Sequence, residues 1–423
     1  MAETGLAGHH PGRHRADAWR PARPLPRQLV AAGDYAFAFL VFLSASDAFT
    51  FVGTGTPQWL LIYAYFFARL PFVLGIYGRF LARNAVYLLY PGLCAISLLW
   101  SDIPVETARF AIQLIVSVLI AIFIGMRLTL DEIFSVLMAV FLFTMLASLA
   151  NVGGALTPQF DHRGNFIGIF LSKNAFGHRS VLFVIGCVFL IFLMPGVSIA
   201  RRAIYLVGLA ATAYMVSIAG SATAVALTIG LGGLGATLHL VMTTRNGPAL
   251  ILPVGAAMIA CGLLATVALG VDPVEALFSL LGRDSTMTGR TVLWDFGWEA
   301  YRTRPWLGFG AAGFWLNPAY AGAITTLQAQ YGEGVLGFHN LIVELLVMLG
   351  PLGVVAHGLV GFVTLRRAII FARRSNDPLA VWVIISLLAI YGMAMIGPQL
   401  YNGHAIPMIL LVAMGVAVQK KLL

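Results

Sequence analysis

Apolar stretches long enough to cross a bilayer recur along the whole of this chain. A transmembrane helix needs about 20 mostly apolar residues, and twelve segments meet that need: 31–52, 58–78, 84–100, 105–126, 131–151, 175–194, 202–218, 222–242, 249–270, 340–363, 379–397 and 404–419. Only 10% of the 423 residues are charged, whereas a soluble domain has about 25%. The sequence therefore predicts an all-α integral membrane protein with about 12 transmembrane helices.

The predicted helices leave one long connection. Residues 1–29 contain Arg, Pro and His without an apolar run, which predicts a disordered cytoplasmic tail and not a signal peptide. Residues 30–270 hold transmembrane helices 1–9 and residues 339–423 hold helices 10–12, in one membrane domain. Loops beyond about 15 residues in compact proteins tend to be functional or disordered. The connection 271–338 is rich in aromatic residues, so we expect it to be ordered.

The basic residues indicate the orientation. The net charge is +9, but Lys and Arg are dispersed between the apolar segments, so we exclude nucleic acid as a partner. With the N-terminus inside, 17 of the 26 Lys and Arg residues fall in cytoplasmic segments, as the positive-inside rule requires. We therefore predict a multi-pass protein of a bacterial inner membrane, with both termini cytoplasmic and residues 271–338 forming a periplasmic loop.

Orientation does not explain the other basic residues. Arg69 lies within a predicted span, and the rest lie outside or near the outer surface: Arg109, Arg163, Lys173, Arg179, Arg283, Arg290, Arg302 and Arg304. Taken singly, each is explained by pairing with an acidic residue such as Asp161 or Glu299, or with lipid phosphates. Taken together, they favour an anionic ligand at the outer face.

Residues 288–303 have the periodicity of a helix. One stripe is polar and its neighbour carries aromatic bulk; the two stripes are Thr291, Asp295, Glu299, Arg302 and Arg290, Trp294, Trp298, Tyr301. This pattern predicts an amphipathic helix along the outer interface, where Trp and Tyr are enriched. Arg290 would start the helix, where its guanidinium and the free backbone N–H groups can hold a phosphate. The alternative is an interfacial anchor with an incidental arginine.

A second polar group precedes a predicted span at "GFHNLIVELLVMLGPLG", residues 337–353. The positive end of a helix dipole disfavours a protonated imidazole, and a neutral His339 can accept a proton as a general base. Asn340 can orient a sugar hydroxyl or cap the helix. Glu344 lies inside the span, where an ionisable group is a functional candidate, or it is a structural partner of Arg69. The alternative for the His339–Asn340 pair is a simple polar cap.

A third polar group lies at "DHRGNFIGIFLSKNAFGHRS", residues 161–180. Lys173 directly precedes Asn174 and the start of a span. Lys173 and Arg163 can contact diphosphate oxygens as a point charge and as a planar fork, respectively.

The order and spacing of these motifs resemble one family. Gly289–Arg290, Trp294, "RPWLGFG" at 304–310 and His339–Asn340 followed by "LVMLGPLG" are similar to the O-antigen ligase and exopolysaccharide polymerase (ExoQ/Wzy-like) superfamily of bacterial envelope glycosyltransferases. "LLWSDIPVETARFA" at 98–111 and "GIFLSKNAFG" at 168–177 resemble its exopolysaccharide polymerase branch. The likeness extends from about residue 90 to residue 360.

The resemblance implies a multi-helical fold and an undecaprenyl diphosphate-linked oligosaccharide as the glycosyl donor. It implies two catalytic residues: Arg290 at the donor diphosphate, and His339 activating or orienting the hydroxyl of a polysaccharide acceptor. Many relatives carry a basic residue in a GSRTA-like turn, where this chain has Ala222. Further candidates for the diphosphate are therefore Arg163, Lys173 and Arg179. Candidate acceptor-binding or orienting residues are Asn340, Asn174, Trp294 and Glu344. Membrane lipids, a flippase and chain-length or export proteins are further candidate partners.

Several kinds of chemistry are excluded by what the sequence lacks. It has no P-loop, no Gly-rich strand–turn–helix for a nucleotide, and no outer Asp-x-Asp or His cluster for a divalent metal. We expect neither metal nor cofactor, so Arg and Lys must stabilise the leaving group. An acceptor hydroxyl would attack the anomeric carbon directly, which inverts that centre and releases undecaprenyl diphosphate.

Three functions remain open. The first is a polymerase of lipid-linked repeat units, the second a ligase that transfers finished glycan to lipid A-core or protein, and the third a non-enzymatic transporter. A transporter is expected to hold ionisable groups near the membrane midplane in discontinuous helices, whereas here they crowd the outer surface. The likeness to the polymerase branch favours polymerisation over ligation.

Overall fold

The computed structural model describes residues 27–49, 56–161, 164–219, 290–331, 337–375, 377–395, 397 and 400–423. Within these residues the fold is helical, and extended structure is limited to two isolated bridges, Ala48 with Phe170 and Phe160 with Phe166. The α-helices are α1 (Arg27–Ser44), α2 (Thr56–Arg83), α3 (Leu89–Ile96), α4 (Pro104–Arg127), α5 (Leu130–Ala150), α6 (Lys173–Val188), α7 (Ile199–Ile218), α8 (Arg290–Thr303), α9 (Ala321–Tyr331), α10 (Leu341–Arg374), α11 (Pro378–Ala394) and α12 (Ile406–Leu422).

The helices of the described residues fit an integral membrane protein. By length and composition, six of them can cross a membrane: α2, α4, α5, α6 with the π-turn after it, α7 and α10. Shorter apolar helices occupy Ala31–Ser44, Ala85–Leu99 and Pro378–Ala394. The predicted spans 222–242 and 249–270 lie outside the described residues. The all-α class is confirmed, while the count of twelve spans, the tail 1–29, the four-part division of the chain and the periplasmic loop stay predictions.

Helix α12 lies at the centre of the bundle. Every residue from Ile406 to Val418 is buried, and a helix that is apolar on all sides belongs to a core. Gly125 of α4 approaches α12 so closely that a Cβ there would lie 2.7 Å from the Ala413 carbonyl oxygen. The close approach of α4 to α12 therefore depends on a small residue at this contact.

One end of the bundle is basic. Arg127, at the end of α4, holds the buried Asp34 carboxylate at 2.5 Å, and Arg69 Nε lies 3.9 Å from the same carboxylate. Lys420 Nζ donates to the Met126 and Leu128 carbonyl oxygens at 3.0 and 2.6 Å, at the C-terminus of α4. The alternative that pairs Arg69 with Glu344 is wrong, because Asp34 is the acidic partner of Arg69.

Several connections meet at the opposite end. Ala45 accepts a hydrogen bond from Ile406 N at 3.2 Å, Phe49 N donates to Ile169 O at 3.0 Å, and the Tyr90 hydroxyl donates to Tyr401 O at 3.0 Å. We call the end formed by residues 45–49, 97–103, 151–161, 164–172 and 400–405 the loop end. All candidate site residues that the structure describes lie at or next to this end.

Candidate functional site

Helix α10 is interrupted at Gly350, directly before Pro351. Gly350 has φ 64° and ψ −163°, a conformation that is essentially restricted to glycine. Because Pro351 has no N–H, it cannot bond the Val347 carbonyl within the helix. The Val347 and Met348 carbonyl oxygens instead accept hydrogen bonds from Phe309 N and Gly310 N, both at 2.9 Å. The break in α10 is therefore where the "RPWLGFG" segment docks.

The two backbones touch at this contact. A Cβ on Gly350 would lie 2.1 Å from the Trp306 carbonyl oxygen, and one on Gly308 would lie 2.5 Å from the Val347 carbonyl oxygen. These distances leave no room for a side chain at either position. The glycines of "RPWLGFG" and "LVMLGPLG" thus allow the backbones of these two segments, which are distant in sequence, to pack directly against each other.

The 98–111 motif supports the same segment from the other side. Trp100 Nε1 donates to Leu307 O at 2.9 Å, and the Thr107 hydroxyl donates to Ala311 O at 2.8 Å. Arg304 pairs with Asp102 at 2.8 Å. For Arg304, pairing with a nearby carboxylate thus accounts for the charge without an anionic ligand.

Helix α8 packs on the start of α10. A Cβ on Gly297 would lie 2.4 Å from Val343 Cγ1 and 2.9 Å from the Phe338 ring. On the opposite side, the acidic side chains of Asp295 and Glu299 are exposed. The helix predicted over 288–303 is confirmed from Arg290 to Thr303, and its glycine-containing face, which the polar pattern did not reveal, joins it to α10.

The residue before His339 is held at both of its backbone polar groups. Phe338 is fully buried; its carbonyl oxygen accepts from Trp294 Nε1 at 3.0 Å, and its N–H donates to Glu344 Oε2 at 2.9 Å. His339 follows with φ 52°, in the left-handed region that non-glycine residues seldom adopt. Asn340 Oδ1 then caps α10 by accepting from Ile342 N and Val343 N at 3.0 and 3.2 Å. We call residues 338–344 the histidine turn.

The Glu344 carboxylate closes this turn. Its side chain is buried, and Oε1 accepts from Trp315 Nε1 at 3.0 Å. The Tyr401 hydroxyl is a further hydrogen-bond partner. Burial raises the pKa of Tyr401 well above its usual range, and the nearby Glu344 adds to the shift, so the hydroxyl stays protonated and donates. The sequence did not predict Trp315 or Tyr401 as partners of Glu344, because no local spacing relates either of them to residues 338–344.

Known proteins match the segments that form this turn. The sequence model of the O-antigen ligase family matches residues 206–358, which include α8 and the histidine turn. The chain is also 27% identical over 320 residues to the exopolysaccharide production protein ExoQ of Rhizobium meliloti (strain 1021), over 74% of this chain and 73% of that protein. The chain resembles the ExoQ/Wzy-like superfamily. The predicted resemblance is confirmed, and the two matches suggest exopolysaccharide polymerisation or O-antigen ligation by a multi-pass membrane protein.

Arg290 is the first residue of α8 that the structure describes, one turn before Trp294. Because Trp294 bonds the Phe338 carbonyl, α8 contacts the histidine turn. The structure thus joins α8 to the residue before His339, although a long stretch of sequence separates them.

Lys173 and Asn174 begin α6 and belong to a separate polar group. Lys173 Nζ donates to Asn165 Oδ1 at 3.0 Å, and Asn165 Nδ2 donates to both Asp161 carboxylate oxygens at 3.0 and 2.9 Å. These hydrogen bonds tie Lys173 to Asn165 and, through Asn165, to Asp161. Arg163 lies outside the described residues, as does Ala222.

Arg179 is held by other groups of the protein. It is fully buried, its Nη2 lies 2.6 Å from the Asp47 carboxylate, and its Nε donates to Ser46 O at 3.0 Å. A donor phosphate would have to displace Asp47 from this guanidinium. We therefore assign Arg179 to holding the 45–49 turn and leave it out of the proposed donor site.

The described residues offer no metal cluster. No group of three or more His, Cys, Asp or Glu side chains within them is placed to hold an ion. The expectation of metal-independent chemistry stays a prediction.

Proposed function

We propose that the protein polymerises undecaprenyl diphosphate-linked oligosaccharide repeat units into exopolysaccharide at the periplasmic face of the bacterial inner membrane. The observation that supports this proposal is the 3.0 Å hydrogen bond from Trp294 Nε1 to Phe338 O, which joins α8 to the residue before His339. A cation for the leaving group and a base for the acceptor are the two groups that this displacement needs.

His339 is the proposed general base. Its imidazole takes the proton of an acceptor hydroxyl while that oxygen attacks the anomeric carbon from the face opposite the diphosphate. The bond from the anomeric carbon to the phosphate oxygen breaks, and its electron pair leaves with undecaprenyl diphosphate. A single displacement inverts the anomeric carbon, and His339 returns the proton to water.

Arg290 is the proposed ligand of the donor diphosphate. A guanidinium at the N-terminus of a helix adds its charge to that of the free backbone N–H groups. Lys173 and Arg163 are proposed as further contacts, in place of the basic residue that Ala222 replaces. This arrangement stabilises the leaving group with protein cations and no metal ion.

The side of the membrane is inferred from charge. Arg127 and Lys420 lie together at the basic end of the bundle, and Arg367 of α10 donates to the Arg83 carbonyl oxygen at 3.4 Å, near the C-terminus of α2. The positive-inside rule assigns such an end to the cytosol. Both termini are then cytoplasmic, and the loop end with His339 faces the periplasm.

O-antigen ligation is the second candidate. It is favoured by the family model, whose description is an O-antigen ligase. The chemistry at the donor is the same, and only the acceptor differs, because a ligase transfers the glycan to lipid A-core or protein.

Transport without catalysis is the third candidate. The interruption of α10 at Gly350 and the buried His357 further along this helix support it, because discontinuous helices and buried ionisable groups are features of transporters. We rank it below the enzymatic functions because the resemblance to the superfamily favours glycan transfer.

Deletion of the gene, followed by sizing of the envelope glycans, tests the proposed function. We expect glycans of a single repeat unit, because polymerisation is lost while repeat units are still made. Full-length glycan retained on the carrier lipid would instead indicate a ligase. Unchanged glycans would refute both enzymatic functions.

The Arg290→Ala variant is expected to lower kcat/KM for the lipid-linked donor by about 100-fold, since loss of one charge-stabilising donor has effects of this size. Arg290→Lys should recover part of the loss, because lysine keeps the charge but not the planar fork. The measurement is initial rate against donor concentration with purified protein in detergent.

Arg302→Ala is the matched control, because Arg302 is an exposed arginine of the same helix. It should retain wild-type kcat/KM. Equal activity of Arg290→Ala and Arg302→Ala would remove Arg290 from the donor site.

A further inference from the structure

We propose that Glu344 is a positioning residue for His339, acting through the backbone of Phe338 and not by contact with the acceptor. The inference rests on the proposed function, because it assigns a role within that reaction. It revises the sequence-based prediction, which placed Glu344 among the acceptor-binding or orienting residues.

The two hydrogen bonds at Phe338 act on successive peptide groups. Glu344 Oε2 holds the N–H of Phe338 at 2.9 Å, and Trp294 Nε1 holds its carbonyl oxygen at 3.0 Å. The second peptide group is the one that joins Phe338 to His339. The direction in which the chain enters His339 is therefore set by one group from α10 and one from α8.

The backbone of His339 needs such support. Its φ of 52° is unfavourable for a residue with a Cβ, and such conformations persist where the surroundings over-determine them. Asn340 supports the turn on the helix side by capping α10. Glu344 supports it on the opposite side, before His339.

The surroundings of Glu344 argue against direct contact with a sugar. The residue is 1% exposed, and its carboxylate receives the Phe338 N–H, the Trp315 indole N–H and the Tyr401 hydroxyl. These donors come from the residue before His339, from the segment after "RPWLGFG" and from the connection before α12. The carboxylate therefore joins three parts of the loop end behind His339.

Glu344→Gln tests the inference, because it keeps the size of the side chain but presents an amide N–H₂ to one of the donors. We expect kcat to fall by about 100-fold, since a displacement of about 1 Å at a catalytic group has effects of this size. KM for donor and acceptor should stay within about threefold, because no binding group is removed. Trp315→Phe, which removes one donor to the carboxylate, should lower kcat in the same way by a smaller factor and serves if Glu344→Gln does not fold.

Glu106→Gln is the matched control at a partly exposed carboxylate of α4 that pairs with Arg109, and it should retain wild-type kcat. In a His339→Ala background, Glu344→Gln should lower the residual rate no further, since its effect acts through His339. A raised acceptor KM with unchanged kcat would mean that Glu344 contacts the acceptor. Loss of activity only in proportion to loss of folded protein would mean a purely structural role. Either result overturns the inference, whereas a wild-type protein without transferase activity overturns the proposed function.

Discussion

Replacement of His339 by alanine is expected to lower the turnover number of glycan transfer by about 1,000-fold, since general base catalysis contributes factors of about 10² to 10⁴. Alanine cannot accept the proton of the acceptor hydroxyl, so the attacking oxygen must lose it to water. The measurement is kcat with a purified lipid-linked repeat unit, or glycan length after complementation of the deletion strain.

The loss must be separated from misfolding. His339 is half-buried, and the backbone hydrogen bonds of Phe338 and the Asn340 cap do not involve its imidazole. His339→Ala should therefore insert into the membrane in wild-type amounts and keep its thermal midpoint in detergent. Thr326→Ala, at an exposed position of α9, is the control for activity. Wild-type turnover in His339→Ala would exclude His339 as the base.

Gly350→Ala is expected to destabilise the fold by about 3 kcal/mol or more, since strained backbone and overpacking each contribute about 1–3 kcal/mol. The φ of 64° with ψ of −163° is unfavourable for alanine, and the new Cβ would lie 2.1 Å from the Trp306 carbonyl oxygen. The "RPWLGFG" segment would then separate from α10 and leave the Val347 and Met348 carbonyl oxygens without their partners. The measurements are the thermal midpoint and the folded yield in detergent.

Gly358→Ala is the matched control on the same helix. A Cβ at Gly358 meets nothing within 4 Å among the described residues, and alanine in a helix is more stable than glycine by about 1 kcal/mol. The Gly358 variant should therefore keep or raise the thermal midpoint. Equal midpoints for the two variants would mean that the contact at Gly350 does not stabilise the fold.

Local patterns in the sequence predicted most of the helices that the structure describes, but not α9. The helix over 288–303 followed from two stripes with helical spacing, and the structure has a helix over Arg290–Thr303. The cap at Asn340 followed from a polar residue directly before an apolar run, and its side chain accepts from two backbone N–H groups. Such features are predictable because they depend on residues within one or two turns of each other.

The partners of charged residues were not predictable in this way. Arg179 precedes no local acid at helical spacing, yet it is buried against Asp47 of a distant turn. Glu344 was assigned to Arg69 as one alternative, whereas its partners are Phe338, Trp315 and Tyr401. In both cases the partner lies on an element that only the packing of the bundle brings near.

The sequence by itself determined that this protein is a helical membrane protein, because apolar runs in a bilayer must satisfy their backbone hydrogen bonds internally as helices. It also pointed to Arg290 and His339, through motifs whose order resembles one superfamily. Only the tertiary structure decided that the "RPWLGFG" segment fills the break in α10 and that Trp294 and Glu344 hold the residue before His339. These contacts join segments that are far apart in the chain. Their geometry depends on how the helices pack, and helix packing cannot be predicted from the spacing of nearby residues.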